Sequence, residues 1–470
     1  MVRPGERIHV IGIAGSGAAG AALLLHRGGA LVDGCDADPR SPYTPPLAAA
    51  GISVLSGHDP SHLAGVGRVA ISPALRAVPG HAELAAADAA MLPVVTWQSL
   101  LGELMAAPGR IGVGVTGTHG KSTTTALLGH LLVVAGFDPT VEVGAFIEAW
   151  GASVRSGEGA PFVVEADEFG NNFLNYRPAA AIVTNVEMDH PDFFADASGV
   201  MSSFERFVRA ISPHPALGGR LLVISADDPG ATELVARLGD WGGRIVRYGP
   251  GGDVEATEID MDPDGTSFVL FGRPWRTGLA GRHNVANATA ALIVASELGA
   301  DLDALADGLR TFAGAGRRMQ LIADTPRVTI YDDYGHHPTE VRAALAAARQ
   351  RVGADRRLWA VFEPHMYSRT ALLLDAFSTA FADANEVIIA DIFASRDTPQ
   401  AMASTSAEDL ADAIERASGI PAMATGDVDT TTDYVAEHLA DGDAVLVMGA
   451  GKSYRIAQGL ASRLADGADS

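Results

Sequence analysis

Short runs rich in Val and Ile alternate with stretches of helical spacing along almost the whole of this 470-residue chain. Runs this short and this apolar suit strands covered on both faces, the pattern of parallel sheets layered between helices. RIHVIGI reads as a strand, GAAGAALLLHRGG as a helix and ALVDGCD as the next strand. RVAISPAL, HAELAAADAAML and PVVTW repeat the cycle, and Pro108-Gly109 interrupts it.

A second series begins with the strand RIGVGVTG and passes through a Gly-rich loop into the helix KSTTTALLGHLLVVAG. Leu127, Leu128, Leu131 and Leu132 share one face of that helix, and Gly136 marks its end. FVVEAD and AAIVTNV read as strands, DMDPDGTSFVLF as a local antiparallel ribbon, and HNVANATAALIVASELG as a helix leading to the Gly-rich AGAGRRM. RVTIYDD, PTEVRAALAAARQR, RLWAVFEPH, NEVIIADIF and AVLVMGAG then form a third series. The length exceeds what one core sustains, so three domains are expected, at 1–108, 109–317 and 318–470. The fold class is α/β, with three doubly wound, Rossmann-like units.

Charge narrows the partners. A formal net charge of -23 repels nucleic acid and anionic lipid, so neither is expected as a partner, and an anionic ligand must be held by local groups. The single cysteine, Cys35, forms no internal disulfide. The N-terminus lacks a charged region followed by an apolar core, and no run of 18 apolar residues occurs, so a cytoplasmic protein without membrane insertion is expected.

GVTGTHGKSTTT, residues 114 to 125, lies between a strand and a helix, where unpaired N–H groups and the helix dipole attract phosphate. The usual phosphate loop carries a glycine where this chain has Val115; Gly117 and Gly120 close a shorter loop. Lys121 and Lys452 are the only lysines, so an ammonium was kept here in a chain that otherwise uses Arg. It suits β- and γ-phosphates, and the Ser122 hydroxyl suits Mg²⁺. Gly15, Gly17 and Gly20 show G-x-G-x-x-G spacing, with Asp36 ending the following strand. That motif serves a nucleotide-sugar diphosphate, a dinucleotide redox cofactor or close helix packing.

Glu165, Asp167 and Glu168 end one strand; Glu187, Asp189, His190 and Asp192 end another. Ligands sit at the carboxyl ends of parallel strands, so both clusters are expected to face the phosphate loop, with donors suited to Mg²⁺. His336 and His337 are adjacent after a strand and point different ways, a poor zinc pair, with Thr339 as a candidate helix cap. His365 and Arg369 follow another strand and suit a carboxylate or phosphate.

These segments, together with GRHNVANATAA, GRRM, DDYGHHPTEV, PHMYSRT and MGAG, resemble the Mur ligases over nearly the full length, and most closely their alanine-adding branch. That family's own loop has the form G-T-x-G-K-T/S. The resemblance implies an N-terminal domain for the UDP part of the substrate, a central P-loop-type ATPase domain and a C-terminal ligase domain. It implies that ATP phosphorylates the carboxylate of UDP-N-acetylmuramate and that L-alanine displaces phosphate, with Mg²⁺ as cofactor, in peptidoglycan precursor synthesis. A monomer or homodimer is expected. By the same resemblance Gly15, Ser16, Gly17 and Asp36 bind the UDP-substrate, and Gly117, Thr118, His119, Gly120, Lys121, Ser122 and Thr123 hold the ATP phosphates. Ser122, Glu165 and His190 serve the metal, Asn287, Arg318 and Asp332 or Asp333 the nucleotide, and Tyr334, His336 and Arg369 the amino acid. Lys121, Glu165, His190 and His336 are the catalytic candidates, His336 by helping the ammonium lose a proton.

Three departures bear on the acceptor. EADEFGNNFLNYRP replaces the EADESDGSFL form, its NYRP end resembling the branch that recycles murein tripeptide. Met366 stands where many alanine-adding members have Arg, and MGAGKS replaces MGAGD. No lysine lies between Met188 and Arg209, so no carbamylated lysine is available there. Outside the ligases, the competing readings are a nicotinamide-dependent oxidoreductase built on Gly15, Gly17 and Gly20, and a regulatory nucleotide-binding protein with a decayed site.

Overall fold

The computed structural model describes residues 1–72, 75 and 80–468. In the first sheet, β1 (Arg7–Ile11), β2 (Leu31–Asp36), β3 (Ser53–Ser56), β4 (Arg68–Ile71) and β5 (Val94–Thr96) run parallel in the order β3-β2-β1-β4-β5. Of the run RVAISPAL, Pro73 and Ala74 lie outside the described residues.

The second sheet has the order β12-β11-β10-β6-β9-β7-β8. Its strands are β6 (Ile111–Thr116), β7 (Thr140–Ile147), β8 (Ala152–Arg155), β9 (Pro161–Glu165), β10 (Ala180–Val183), β11 (Leu221–Ser225) and β12 (Arg244–Tyr248). All pair in parallel except β7 with β8. The expected ribbon is present as three antiparallel strands, β13 (Thr257–Asp262), β14 (Gly265–Leu270) and β15 (Arg273–Thr277).

The last sheet comprises β16 (Gln320–Asp324), β17 (Val328–Asp333), β18 (Leu358–Phe362), β19 (Glu386–Ala390), β20 (Ala422–Gly426) and β21 (Asp443–Met448), ordered β16-β17-β21-β18-β19-β20. Only β16 is antiparallel to its neighbour. β18 shows why the strands lack polar alternation. Leu358, Ala360 and Phe362 pack with Phe377 and Phe381 in one core, while Trp359 and Val361 pack with Ile456 and Leu460 in another. With both faces covered, each position of the strand is selected for burial.

These elements divide into two compact units: 1–188, 197–256 and 286–316 form one, and 189–196, 257–285 and 317–470 the other. Within the first unit, the helix Ser16–Arg27 that follows β1 rests against the second sheet. A Cβ on Gly20 would meet Val154 of β8 at 2.6 Å, and the Ser153 hydroxyl donates to the Ser16 carbonyl at 3.0 Å. The altered stretch after Glu168 braces the same junction: Ser99 Oγ donates to Asn175 Oδ1 at 2.8 Å. Its turn uses left-handed backbone at Gly170 and Asn171, and Phe173 and Tyr176 are buried.

The ribbon β13–β15 belongs to the second unit because Gln350 clamps it. Gln350 Nε2 donates to the carbonyls of Asp262 and Gly265 at 2.9 and 2.7 Å, and Oε1 accepts from Gly281 N at 2.7 Å. Among the described residues no helix is long and apolar enough to cross a membrane.

Candidate active site

β6 delivers the chain to the phosphate loop, and the helix Lys121–Val134 carries it away. Val115, at the place of the absent glycine, is fully buried inside β6, so the loop begins only at Gly117. Gly117 has φ +138 and Gly120 φ +81. A Cβ would lie 1.9 Å from Thr184 Oγ1 at Gly117 and 2.7 Å from Asn287 Oδ1 at Gly120. Both glycines are therefore required by backbone and space, and Asn287 sits against the loop it was assigned to serve.

The loop is pinned from β10's end. Asn185 Oδ1 accepts from His119 N at 2.8 Å, Thr118 Oγ1 accepts from Glu187 N at 2.8 Å, and His119 Nε2 lies 3.4 Å from a Glu187 carboxylate oxygen. This fixes the head of the helix Lys121–Val134, and the head of a helix attracts anions.

Lys121 curls back over the loop. Its Nζ donates to the carbonyls of Gly117 and Thr118 at 2.6 and 3.1 Å and to both carboxylate oxygens of Glu168 at 3.0 and 2.9 Å. Burial alone would lower the ammonium pKa; Glu168, Asp167 and Glu165 outweigh it and raise the net value. The acid cluster after β9 thus faces the loop as expected.

Ser122 Oγ donates to Glu165 Oε1 at 3.0 Å, and Gly144 N donates to Glu165 Oε2 at 2.7 Å. Neighbouring ligands on an octahedral Mg²⁺ with bonds of about 2.1 Å stand about 3.0 Å apart, so this oxygen pair fits one edge of such a site. Glu142 of β7 is an unforeseen member of the cluster. It is buried, burial and the nearby Glu165 and Asp167 push its pKa well above the carboxylate range, and Oε2 has no hydrogen-bond partner among the described residues.

The second acid cluster divides. Glu187 meets the phosphate loop, whereas Asp189–Asp196 pack in the second unit. There Asp189 Oδ1 accepts from Arg369 Nε at 2.8 Å, with side chains only 5% and 1% exposed. Burial would raise the Asp189 carboxyl, but Arg369, His190, His336 and His337 together hold it far below the usual range. His190 adopts φ +54, and its N–H is accepted by Asp189 Oδ1 at 2.7 Å.

The residues assigned to the amino acid come together in this unit. The His336 ring lies 5.6 Å from that of Tyr334 and 5.7 Å from that of His365, whose Nδ1 is 3.1 Å from Arg369 Nη1. Burial lowers His336 to about 4 and His365 to about 2, so both rings are neutral at pH 7. A ring this weakly basic is a hydrogen-bonding group before it is a proton acceptor. The expected cap is corrected: His337, not Thr339, caps the helix Pro338–Val352, in a capping box with Glu340. An imidazole Nδ1 takes the place of the usual hydroxyl or carboxylate and accepts from the Thr339 N–H at 3.3 Å.

Arg318 stacks its guanidinium 5.0 Å above the Tyr334 ring. Its neighbour Arg317, which sequence reasoning passed over, holds Asp332 Oδ2 at 2.8 Å, the Gly449 carbonyl at 2.7 Å and Ser453 Oγ at 2.9 Å. Asp333 accepts from Gly335 N at 2.7 Å and Met319 N at 2.8 Å, and burial raises it to about 6. Met366, at φ +73, is buried with its sulfur 3.9 Å from Arg396.

At the N-terminal motif, Gly15 caps the helix Ser16–Arg27 and has open space; a Cβ there meets only Gly12 O at 3.7 Å. On Gly17 a Cβ would strike the Trp97 indole at 2.5 Å, so this glycine and Gly20 permit packing. Ser16 Oγ donates to Gly144 O at 3.2 Å, and Asp36 Oδ2 accepts from Ala14 N at 3.1 Å.

Three family models cover most of the chain: the Mur ligase family catalytic domain at residues 7–108, the Mur ligase middle domain at 115–295 and the Mur ligase, glutamate ligase domain at 317–451. A UDP-N-acetylmuramate–L-alanine ligase of Mycolicibacterium vanbaalenii is 40% identical over 464 residues, spanning 95% of this chain and 94% of that protein. Among solved structures, the UDP-N-acetylmuramate-alanine ligase of Thermotoga maritima superposes with a TM-score of 0.81 at 24% identity, covering 98% of this chain and 99% of its own. A murein peptide ligase of Psychrobacter arcticus gives a TM-score of 0.70 at 26% identity, with coverage of 98% and 99%. With its phosphate loop, its three mainly parallel sheets and this end-to-end similarity, the chain belongs to the Mur ligase family.

Proposed function

We propose that this protein is an ATP-dependent ligase that joins L-alanine to the muramate carboxylate of UDP-N-acetylmuramate, in the cytoplasm, through an acyl phosphate. The observation that carries the chemistry is the Ser122–Glu165 oxygen pair, 3.0 Å apart at the head of a helix whose loop also holds Lys121. The name of the Mycolicibacterium relative supports the substrates. Two unit charges 4 Å apart repel by about 4 kcal/mol at an effective dielectric of 20, so a carboxylate meets the γ-phosphate only where cations intervene.

In this reading residues 1–108 bind the UDP-substrate, with the diphosphate near Gly15, Ser16, Gly17 and Asp36. Residues 109–317 hold ATP through Gly117 to Thr123 and Asn287, and 318–470 contribute Arg318 and Asp333 to the nucleotide. Lys121 leaves Glu168 for the phosphates and neutralises charge as it gathers on the transferred group. Bound Mg²⁺, held by Ser122, Glu165 and His190, would supply further charge neutralisation there. Tyr334, His336 and Arg369 position the amino acid, whose amino group then attacks the acyl carbon and expels phosphate.

Phosphate release with ATP, Mg²⁺ and UDP-N-acetylmuramate tests this, comparing L-alanine, glycine, L-serine and L-alanyl-γ-D-glutamyl-diaminopimelate as acceptors. Release that depends on L-alanine is expected. Release with the tripeptide alone overturns the choice of acceptor, and silence with all four overturns the ligase reading.

A further inference from the structure

The first sheet contains a cluster of side chains that the ligase chemistry does not use. His9 projects from β1 and Cys35 from β2, His62 lies in the short helix Pro60–Leu63, and Glu83 in the first turn of the helix Ala82–Ala89. His9, Cys35 and Glu83 are fully buried. One donor atom from each of the four lies within 4.8 Å of all the others.

Three of the spacings are those of a coordination shell. Taking Glu83 Oε1 as the carboxylate donor, His9 Nε2 is 3.4 Å from Cys35 Sγ and 3.6 Å from Oε1, and Cys35 Sγ is 3.3 Å from Oε1; His62 Nδ1, hydrogen-bonded to Oε1 at 2.8 Å, has to draw back by about half an ångström. A tetrahedral zinc ion with bonds of about 2.0–2.3 Å needs donors about 3.3–3.8 Å apart. Asp33 Oδ1 accepts from His9 Nδ1 at 2.6 Å, which leaves Nε2 facing the cluster, the carboxylate–histidine arrangement that orients metal ligands.

His81 supplies an independent observation. It is 9% exposed, both ring nitrogens lack a hydrogen-bond partner among the described residues, and its ring lies 4.6 Å from that of His58. His58 Nδ1 in turn reaches Cys35 Sγ at 3.2 Å and Glu83 Oε2 at 3.3 Å. Among the described residues, internal hydrogen bonding therefore leaves one nearly buried imidazole unsatisfied at the edge of the cluster, where His58, His81 and Glu83 form an adjoining donor set that shares Glu83 with the first.

We propose that the first sheet binds one zinc-class transition-metal ion through His9, Cys35, His62 and Glu83, with His58 and His81 as a reserve pair. Mixed sulfur, nitrogen and oxygen donors favour zinc over a hard cation such as Mg²⁺. One thiolate and one carboxylate balance a divalent charge inside a buried site. Cysteine binds such an ion as the thiolate, so binding releases the Cys35 proton. The ion also braces the Gly-rich loop, because the Cys35 carbonyl accepts from Gly12 N and Ile13 N at 2.8 and 3.2 Å.

The test titrates the chelator-stripped full-length protein with Co²⁺ in excess Mg²⁺, which occupies oxygen-only sites. One equivalent is expected to give intense tetrahedral d–d bands and a thiolate-to-cobalt charge-transfer band in the near ultraviolet, both removed by Zn²⁺. Cys35→Ser is expected to lose the charge-transfer band, and Asp33→Asn to weaken binding about tenfold or more. A wild-type spectrum without the thiolate band overturns the site, and this reading needs no variant to fold. A band that persists in Cys35→Ser overturns it equally.

Discussion

Replacing Lys121 with Met keeps most of the stem and removes the ammonium. In the ligand-free protein that ammonium contacts two backbone carbonyls and both oxygens of Glu168, and the two side chains are 13% and 2% exposed. Removing one partner of a buried pair costs roughly 3–5 kcal/mol, because the other charge is left without solvent. Removing both leaves two carbonyls short of a donor, a net loss of about 0.5–1 kcal/mol each where water reaches them. Lys121→Met is thus expected to destabilise its surroundings by about 3 kcal/mol, and Lys121→Met/Glu168→Gln to recover about 2 kcal/mol of that. The measurement belongs at pH 7.5. The raised lysine contributes its full stability below the unfolded value of about 10.4 and loses it only as pH rises through the folded one. A multidomain chain does not unfold in one step, so the readout is amide exchange in the helix Lys121–Val134, expected to accelerate about a hundredfold in the single variant. Both variants should release no phosphate. Equal exchange in single and double variants would refute the reasoning, since Glu168 would then carry no stranded charge.

Asp189→Asn strands Arg369 in a pair that is 5% and 1% exposed, so thermal unfolding should register a loss of roughly 3–5 kcal/mol in the second unit. Because the Asp189 pKa is depressed, the wild-type protein holds this contribution above about pH 4 and loses it as pH falls further. Gly17→Ala places a methyl 2.5 Å from Trp97 and should cost roughly 1–3 kcal/mol, while Gly15→Ala leaves the melting temperature unchanged; equal melting temperatures would remove the packing role. Glu142→Gln should be near neutral at pH 5 and stabilising at pH 8. A raised carboxyl binds more protons folded than unfolded, so wild-type stability falls as pH climbs from about 4.5 toward the folded value, and the amide removes that slope in pH-dependent melting.

How much of the fold the sequence discloses depends on whether each element answers to its own residues. LWAVF at β18 and AVLVMG at β21 are apolar on both faces because helices cover both, and their pattern alone marks them. β7 and β8 are not legible as strands because VEVGAFI carries Glu142 and Gly144 among its apolar residues, and because the two pair antiparallel, which a parallel-sheet pattern does not predict. β16 escaped because it is an edge strand with half-exposed positions, QLIAD. The ribbon β13–β15 was legible from its turn, yet its allegiance was not: Gln350, 85 residues from Gly265, decides it through hydrogen bonds that no local pattern encodes.

The site was legible as a set of charges and not as a set of partnerships. Lys121, Glu165, Ser122 and Arg369 stand in motifs because of what they carry, and sequence identifies them. Who holds each one is a tertiary fact. Lys121 rests on Glu168, Arg369 on Asp189, and Arg317 on Asp332, so three cations in or beside the motifs are neutralised by internal carboxylates. In a chain of net charge -23 this has a consequence for binding. A single substrate carboxylate offers Lys121 or Arg369 no more than the carboxylate already there, and exchange gains little. A triphosphate brings several charges to one place and meets the head of the helix as well as the ammonium. In the ligase reading proposed above, the nucleotide is therefore expected to be the ligand that first releases Lys121, and the carboxylate substrate to gain its cation only after that exchange.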